Sequence, residues 1–225
     1  MSDLDWSSIP GALPLLARGM WLTAQVTLFA VAVGMAVGTG LAVARLARPP
    51  WLSWPAAAYV NLFRSVPLVM VILWFYLVVP QLLRRVLGVP DSVDIRLISA
   101  LAAFALFESA YYAEIIRAGI QSVPQGQVAA ALALGLTPAQ ALRLVVLPQA
   151  FRNMLPLLLT QAIILFQDTS LVYVIGLSDF FGTAYKVGDR DGRLVELLLF
   201  AGAVYFVLCF TASRLVRRLS HKVTA

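Results

Sequence analysis

VPQGQVAAALALGLTPAQALRLVVLP, residues 123–148, is the stretch whose reading decides the fold. It lies between strongly apolar runs but is not itself a membrane-spanning segment. Pro124 and Gly126 open it, and a small-residue helix is expected over residues 127–134. Gly135 stops that helix, because glycine takes up the left-handed backbone of a helix end without steric cost. Thr137 offers an N-cap oxygen to a second short helix, with Pro138 at its first position, where the missing N–H costs nothing. Pro148 is expected to interrupt the apolar run again, since an interior proline removes a hydrogen bond and crowds the preceding turn. The pattern is a short helix, a sharp bend and another short helix, set between membrane spans.

Composition supplies the surroundings of that stretch. The 225 residues are 61% hydrophobic and 12% charged, against roughly 45–50% apolar and about 25% charged in ordinary soluble domains. The chain therefore reads as an integral membrane protein made of one domain, residues 1–225. Its net charge of +6 does not indicate nucleic acid, because the length is given over to apolar runs; the charge anchors loops and tail against membrane lipid. Cys209 is the only cysteine, so no internal disulfide can form, and in an apolar run it reads as a small core residue. The N-terminal segment carries Asp3 and Asp5 but no base, unlike a secretory signal, so the first span is expected to stay in the mature protein.

Five spans are expected against the ~20 residues a helix needs to cross. They fall at residues 20–44, within 56–83, where Arg64 and Pro67 break the run, and at 97–116, 155–177 and 197–213. An odd number puts the termini on opposite sides. With the C-terminus inside, the inner side holds Arg45, Arg48, Arg117, Arg143, Arg152, Arg214, Arg217, Arg218 and Lys222. The outer side holds Arg18, Arg84, Arg85, Arg96, Lys186, Arg190 and Arg193. The surplus inside is small. The loop after the first span and the C-terminal tail favour an outer N-terminus and a cytoplasmic C-terminus, while two outer loops oppose it. In that orientation residues 123–148 face the cytoplasm.

Polar residues inside the spans are the candidate functional groups. Arg64 sits in NLFRSVP between apolar runs; it either snorkels to the headgroups or stands near a translocation path. Glu114 and Arg117 are three apart and can pair on one helix face. Glu108 has no base at helical spacing and must pair across helices, meet a ligand group or be protonated; Tyr111 shares its face. Gln167, Asp168, Thr169 and Ser170 place four polar residues in a row within hydrophobic sequence. They require an aqueous cavity or an interhelical bridge, for instance from Asp168 to Arg64. Gly34 and Gly38, one turn apart, suit close helix approach. Thr23 and Thr27 can bond back to their own helix. No catalytic signature stands beside these: His221 lies in the basic tail, and paired histidines, cysteine clusters and a GxxxxGK[ST] loop are absent from the sequence. No metal or cofactor is expected, and any ATP hydrolysis belongs to another chain.

Residues 123–148 resemble the cytoplasmic coupling loop of ABC importer permeases, in their small-residue run, their glycine and their Leu147-Pro148 close. AYYAEIIRAGIQSVPQGQ (110–127), LPQAFRNMLP (147–156) and QDTSLVYVIG (167–176) are similar to the polar amino acid permease family. DWSSI (5–9), AYVNLFRSVPLVMVILWFYL (58–77) and FQDTSLVYVIGLSDFF (166–181) resemble its glutamate/aspartate branch most. The likeness runs over about residues 19–217. It implies an all-α type I permease of five spans in a bacterial inner (plasma) membrane. It also implies a second homologous permease completing a heterodimeric path, a separate ATP-binding cassette ATPase beneath, and an external solute-binding protein. The amino acid substrate would be L-glutamate or L-aspartate. Arg64, Glu108, Tyr111, Gln167, Asp168, Thr169 and Ser170 would line the path; Gly126, Ala130, Ala131, Leu134, Gly135, Leu147 and Pro148 would couple to the ATPase. One residue departs from the family pattern: Ala129 stands where a glutamate usually precedes the two alanines, so docking would rest on shape and apolar contact. Two alternatives stay open, a path for glutamine or a basic amino acid, and a structural membrane subunit that moves no solute.

Overall fold

The computed structural model describes residues 4–47, 49–87 and 94–224, and all the regular structure among them is helical. Helix α1, Ser8–Leu46, is 39 residues long and extends beyond the first expected span at both ends. Its approach is tied to the start of the last helix: Arg193 donates from Nη1 to the Ser7 and Ser8 hydroxyls at 2.6 and 2.7 Å and pairs with Asp5.

The longest contact of α1 is with α4, Arg96–Gln121. A Cβ on Gly34 would lie 3.0 Å from Glu108 Cβ, and one on Gly38 would lie 2.8 Å from the Ser109 carbonyl oxygen. Lipid tails are as apolar as leucine, so association here depends on van der Waals packing, and small residues let the backbones approach. Both glycines thus pack within this subunit, whereas Gly40 faces open space.

The second expected span is two helices, α2 (Pro50–Arg64) and α3 (Leu68–Leu87), bent by 102° across Ser65, Val66 and Pro67. Pro67 disfavours helical backbone at the residue before it, and the Ser65 N–H closes α2 onto Asn61 and Leu62. Leu68, Val71 and Ile72 of α3 join Phe104 and Phe107 of α4 and Leu165 in the main buried cluster.

Residues 123–148 form a hook. Helix α5, Gln125–Ala133, starts two residues earlier than expected. It ends at Gly135, φ +84°, where the Leu136 N–H reaches the Ala131 carbonyl at 3.2 Å and the Gly135 N–H reaches Leu132 at 3.0 Å. These two bonds are a Schellman closure. Thr137 and Gln140 then form a reciprocal capping box at α6, Pro138–Ala141. The expected break at Pro148 does not occur. A π-helical turn, Leu142–Val146, leads directly into α7, Leu147–Asp168, and the Leu147 N–H donates to the Leu142 carbonyl five residues back. That wide turn absorbs the missing N–H of Pro148, so helix is continuous from Pro138 through a final 3₁₀ segment, Thr169–Ile175.

Helix α8, Phe180–Asp191, lies between the fourth and fifth expected spans. Both oxygens of Asp179 cap its first turn, accepting from Gly182 at 2.8 Å and Phe181 at 3.2 Å. Burial still pushes the Asp179 carboxyl up to about 6. Phe180, Ala184 and Val187 pack against Ala12 and Leu16 of α1 and Leu197 and Ala201 of α9, Leu194–Thr224. Thr23 serves this junction: its hydroxyl accepts the Phe180 N–H at 3.2 Å rather than bonding its own helix, while Thr27 does bond back to Thr23. Among the described residues, four helical stretches are long and apolar enough to cross a membrane, and the α2–α3 pair makes a fifth if taken as one span.

Candidate functional site

The α2–α3 break meets the point where α7 tightens into its 3₁₀ segment. Ser65, Val66 and Pro67 between α2 and α3 face the end of α7, and a cavity of about 470 Å³ lies between them. Arg64, Tyr111, Phe107, Gln161 and Asp168 line it. The Arg64 guanidinium stands 5.6 Å from the centre of the Tyr111 ring, and the Tyr111 and Phe107 rings are 5.0 Å apart. A cation over an aromatic face is held by the ring quadrupole without losing its charge. Arg64 remains 41% exposed, and its ion-pair partner is Glu114 at 3.9 Å rather than Asp168. The cavity therefore presents a cation, a carboxylate and aromatic walls to one small volume.

Glu114 is a hub. Arg45 of α1 and Arg117 of α4 pair with it directly, and Arg64 of α2 reaches it at the edge of pairing distance. The expected Glu114–Arg117 pair is thus present, with two further arginines around it. Glu108 lies elsewhere than the cavity wall: it is fully buried beside Gly34, and the Gln161 amide donates to its two oxygens at 3.2 and 3.1 Å. Gln161 links this buried carboxyl to the cavity, a role the sequence reading missed because Gln161 follows an unremarkable LLLT run. Of the four polar residues closing α7, only Asp168 lines the cavity. Thr169 is buried and donates to the Phe166 carbonyl at 2.7 Å; Gln167 is exposed and Ser170 half-buried.

A second feature is the hook. Leu134 at its tip is 85% exposed, and Gly126, Ala130 and Gly135 are exposed with it. Ala131 is buried inside the hook. A groove of about 480 Å³ runs along the hook's inner side between Val128 and Leu132 of α5 and Leu142 and Val146 of the π turn. Leu147 and Pro148 are exposed on the helix that follows.

Long apolar helices around a polar cavity, with an exposed helical hook at one end, define an all-helical membrane permease subunit. The chain belongs to the family of binding-protein-dependent transport system inner membrane components, whose model matches residues 34–225. It is 59% identical to the glutamate/aspartate import permease protein GltK of Escherichia coli O157:H7 over 222 residues, 99% of each chain. It is 38% identical to the octopine transport system permease protein OccM of Rhizobium radiobacter, over 89% of this chain and 82% of that one. A crystal structure of an amino acid ABC transporter with histidines shares the fold at a TM-score of 0.89 and 32% identity, over 97% of this chain and 99% of that one. The inward-facing MetNI methionine ABC transporter, at 0.70 and 22% identity over 92% and 97%, has the same fold. The chain is a multi-pass inner-membrane permease of the ABC importer class. Importers of this class carry ATP hydrolysis on a partner chain and receive solute from a binding protein.

Proposed function

We propose that this chain forms one half of the translocation path for L-glutamate and L-aspartate, a second homologous permease forming the other half. The observation that carries the substrate is the full-length 59% identity to a glutamate/aspartate import permease. The cavity chemistry agrees with it. An acidic amino acid needs a cation for its surplus carboxylate, and Arg64 offers one, 3.9 Å from Glu114 and over the Tyr111 ring, with part of its side chain exposed to the cavity. Asp168 suits the ammonium group, and Gln161 and Tyr111 add neutral hydrogen-bonding groups. Glu108 and Thr169 support this wall from behind; Gln167 and Ser170 border the same helix end.

The N-terminus is outside and the C-terminus cytoplasmic in this reading, so the hook faces the ATPase. Leu134, Ala130, Gly126, Leu147 and Pro148 offer it a mainly apolar surface, with Gly135 setting the bend and Ala131 packing the hook's interior. Ala129 leaves that surface without the glutamate usual in the family. ATP-driven closure of the ATPase pair moves the hooks and tips the spans between inward- and outward-open states, which requires nucleotide to favour one state by a few kcal/mol.

Uptake of labelled glutamate by cells lacking this chain, with the chain restored, tests the proposal. Restored uptake should be competed by aspartate and glutamate and not by glutamine or arginine. Arg64→Gln and Asp168→Asn should each lower it about tenfold or more, the scale of a lost charge-assisted hydrogen bond. Equal competition by glutamine or arginine refutes the acidic substrate; unchanged uptake by both variants refutes the site.

A further inference from the structure

We propose that the cleft between α1 and α8 holds the phosphate of an anionic phospholipid, in the leaflet where α1 enters the bilayer. The cleft encloses about 420 Å³ and gathers Arg18 of α1 with Lys186 and Arg190 of α8. Lys186 and Arg190 are four residues apart and so share a helix face. Leu15, Leu22 and Val187 make the apolar part of the wall, and no carboxylate lines it. Arg18 has no ion pair among the described residues. The Lys186 ammonium donates to two neutral oxygens, the Gly176 carbonyl at 3.1 Å and the Ser178 hydroxyl at 2.8 Å. Arg190 pairs with Asp191 at 2.7 Å. Lys186 also lies within electrostatic reach of the buried Asp179 carboxylate, so Arg18 is the one of these three that no carboxylate balances.

Depth selects the ligand. The uncharged run of α1 begins just after Arg18 and ends before Arg45, a length of roughly 39 Å at 1.5 Å per residue, enough for the ~30 Å hydrocarbon core. Arg18 thus stands at the headgroup boundary. Trp21, three residues further in, is 64% exposed, as tryptophans at that boundary are. Leu22 lies one turn below Arg18, where an acyl chain would leave the phosphate. A carboxylate on a soluble partner would meet the basic groups but not this descending apolar wall. The lipid would bridge α1 to α8, and through Lys186 to Gly176, the residue ending the helix that carries Asp168.

The test uses the assembled importer in nanodiscs of phosphatidylcholine doped with phosphatidylglycerol, with retained lipids counted by native mass spectrometry. The double variant Arg18→Gln/Lys186→Gln should retain roughly tenfold less phosphatidylglycerol, with phosphatidylcholine unchanged. Arg18→Lys, which keeps the charge, should retain it as the unaltered chain does, and it serves as the readout if the double variant does not assemble: loss of phosphatidylglycerol from Arg18→Lys would overturn the proposal. Equal retention by the double variant would do the same. Displacement of the lipid by millimolar inorganic phosphate would make this a free-anion site instead. Unchanged lipid retention with lost stimulation by the binding protein would make it a protein-docking surface.

Discussion

Gly135 and Gly126 lie in the same hook, and neither has a heavy atom within 4 Å of where a Cβ would stand. They differ in backbone: Gly135 has φ +84°, while Gly126 is in the first turn of α5 without positive φ. A side chain at 135 is therefore penalised by conformation alone, at about 1–2 kcal/mol. That is a shift of roughly 5–30-fold away from the bent hook. Gly126→Ala replaces a poor helix former with the best one and should be neutral or stabilising by up to about 1 kcal/mol. Asparagine tolerates the left-handed region better than alanine, and valine tolerates it worst because it is β-branched. In proteoliposomes containing equal amounts of inserted importer, ATP-driven uptake should change least in Gly126→Ala, whose added methyl only extends an apolar docking surface. It should then fall in the order Gly135→Asn, Gly135→Ala, Gly135→Val, with recovery of co-purifying ATPase falling in parallel. Full uptake by Gly135→Val would refute the bend as the coupling element; equal damage from Gly126→Ala would show that hook conformation is not what the substitutions read.

Three further outcomes follow from the packing. Gly38→Ala puts a Cβ 2.8 Å from the Ser109 carbonyl and from Tyr112 Cβ, so α1 and α4 must separate at a cost of about 1–3 kcal/mol; its melting temperature in detergent should drop while that of Gly40→Ala does not, and equal melting would refute the contact. Thr23→Val leaves the Phe180 N–H without its acceptor and should lose about 1–3 kcal/mol, with Thr23→Ser largely restoring it; a stable valine variant would show that α8 is held otherwise. Asp179 has a folded pKa of about 6 against 3.8 for the free group, so its stabilising effect is complete below about pH 4 and is lost as pH rises through about 6, on the order of 3 kcal/mol. Asp179→Asn should remove that slope, and parallel pH profiles of unfolding for the two proteins would contradict the burial argument.

Local chemistry made part of this structure legible in the sequence. Gly135 and the Thr137-Pro138 pair marked the hook because helix ends are determined by a few adjacent residues. Arg64 and Pro67 marked the break between α2 and α3 for the same reason, although its 102° angle depends on what α3 packs against. Asp168 stood out because a carboxylate within an apolar run needs an environment hydrocarbon does not supply. Pro148 misled, since the rule against interior proline assumes an α-helical ladder and the chain widens to a π turn just before it. Helix α8 was hidden by its polar surface residues, yet Asp179 as a cap, the spacing of Phe180, Ala184 and Val187, and Gly192 at its end were available signals. The Glu108–Gln161 bond and the Thr23–Phe180 bond join residues 53 and 157 positions apart, and no periodicity reports such pairings.

The continuity across Pro148 bears on how the hook and the cavity communicate. Had the chain broken there, the hook would have been a separate unit, joined to the path by a flexible corner. Instead Pro138–Asp168 is one helical rod, roughly 45 Å long at 1.5 Å per residue. The capped hook lies at one end and Asp168 of the cavity at the other. Its one irregularity, the π turn, lies directly beneath the hook, where Leu142 and Val146 line the groove. Along its upper part the rod is held by Gln161 to Glu108 and by Leu165 in the main cluster. A displacement of the hook is therefore absorbed at the π turn or carried to Asp168, with no loop between them to dissipate it. On the facing wall, Arg64 is tied through Glu114 to α1 and α4 and not to this rod. The cation and the carboxylate of the cavity thus stand on different helices that are both braced against α4, Arg64 through Glu114 and the rod through Gln161 and Leu165, so their separation is set by how the rod packs on α4.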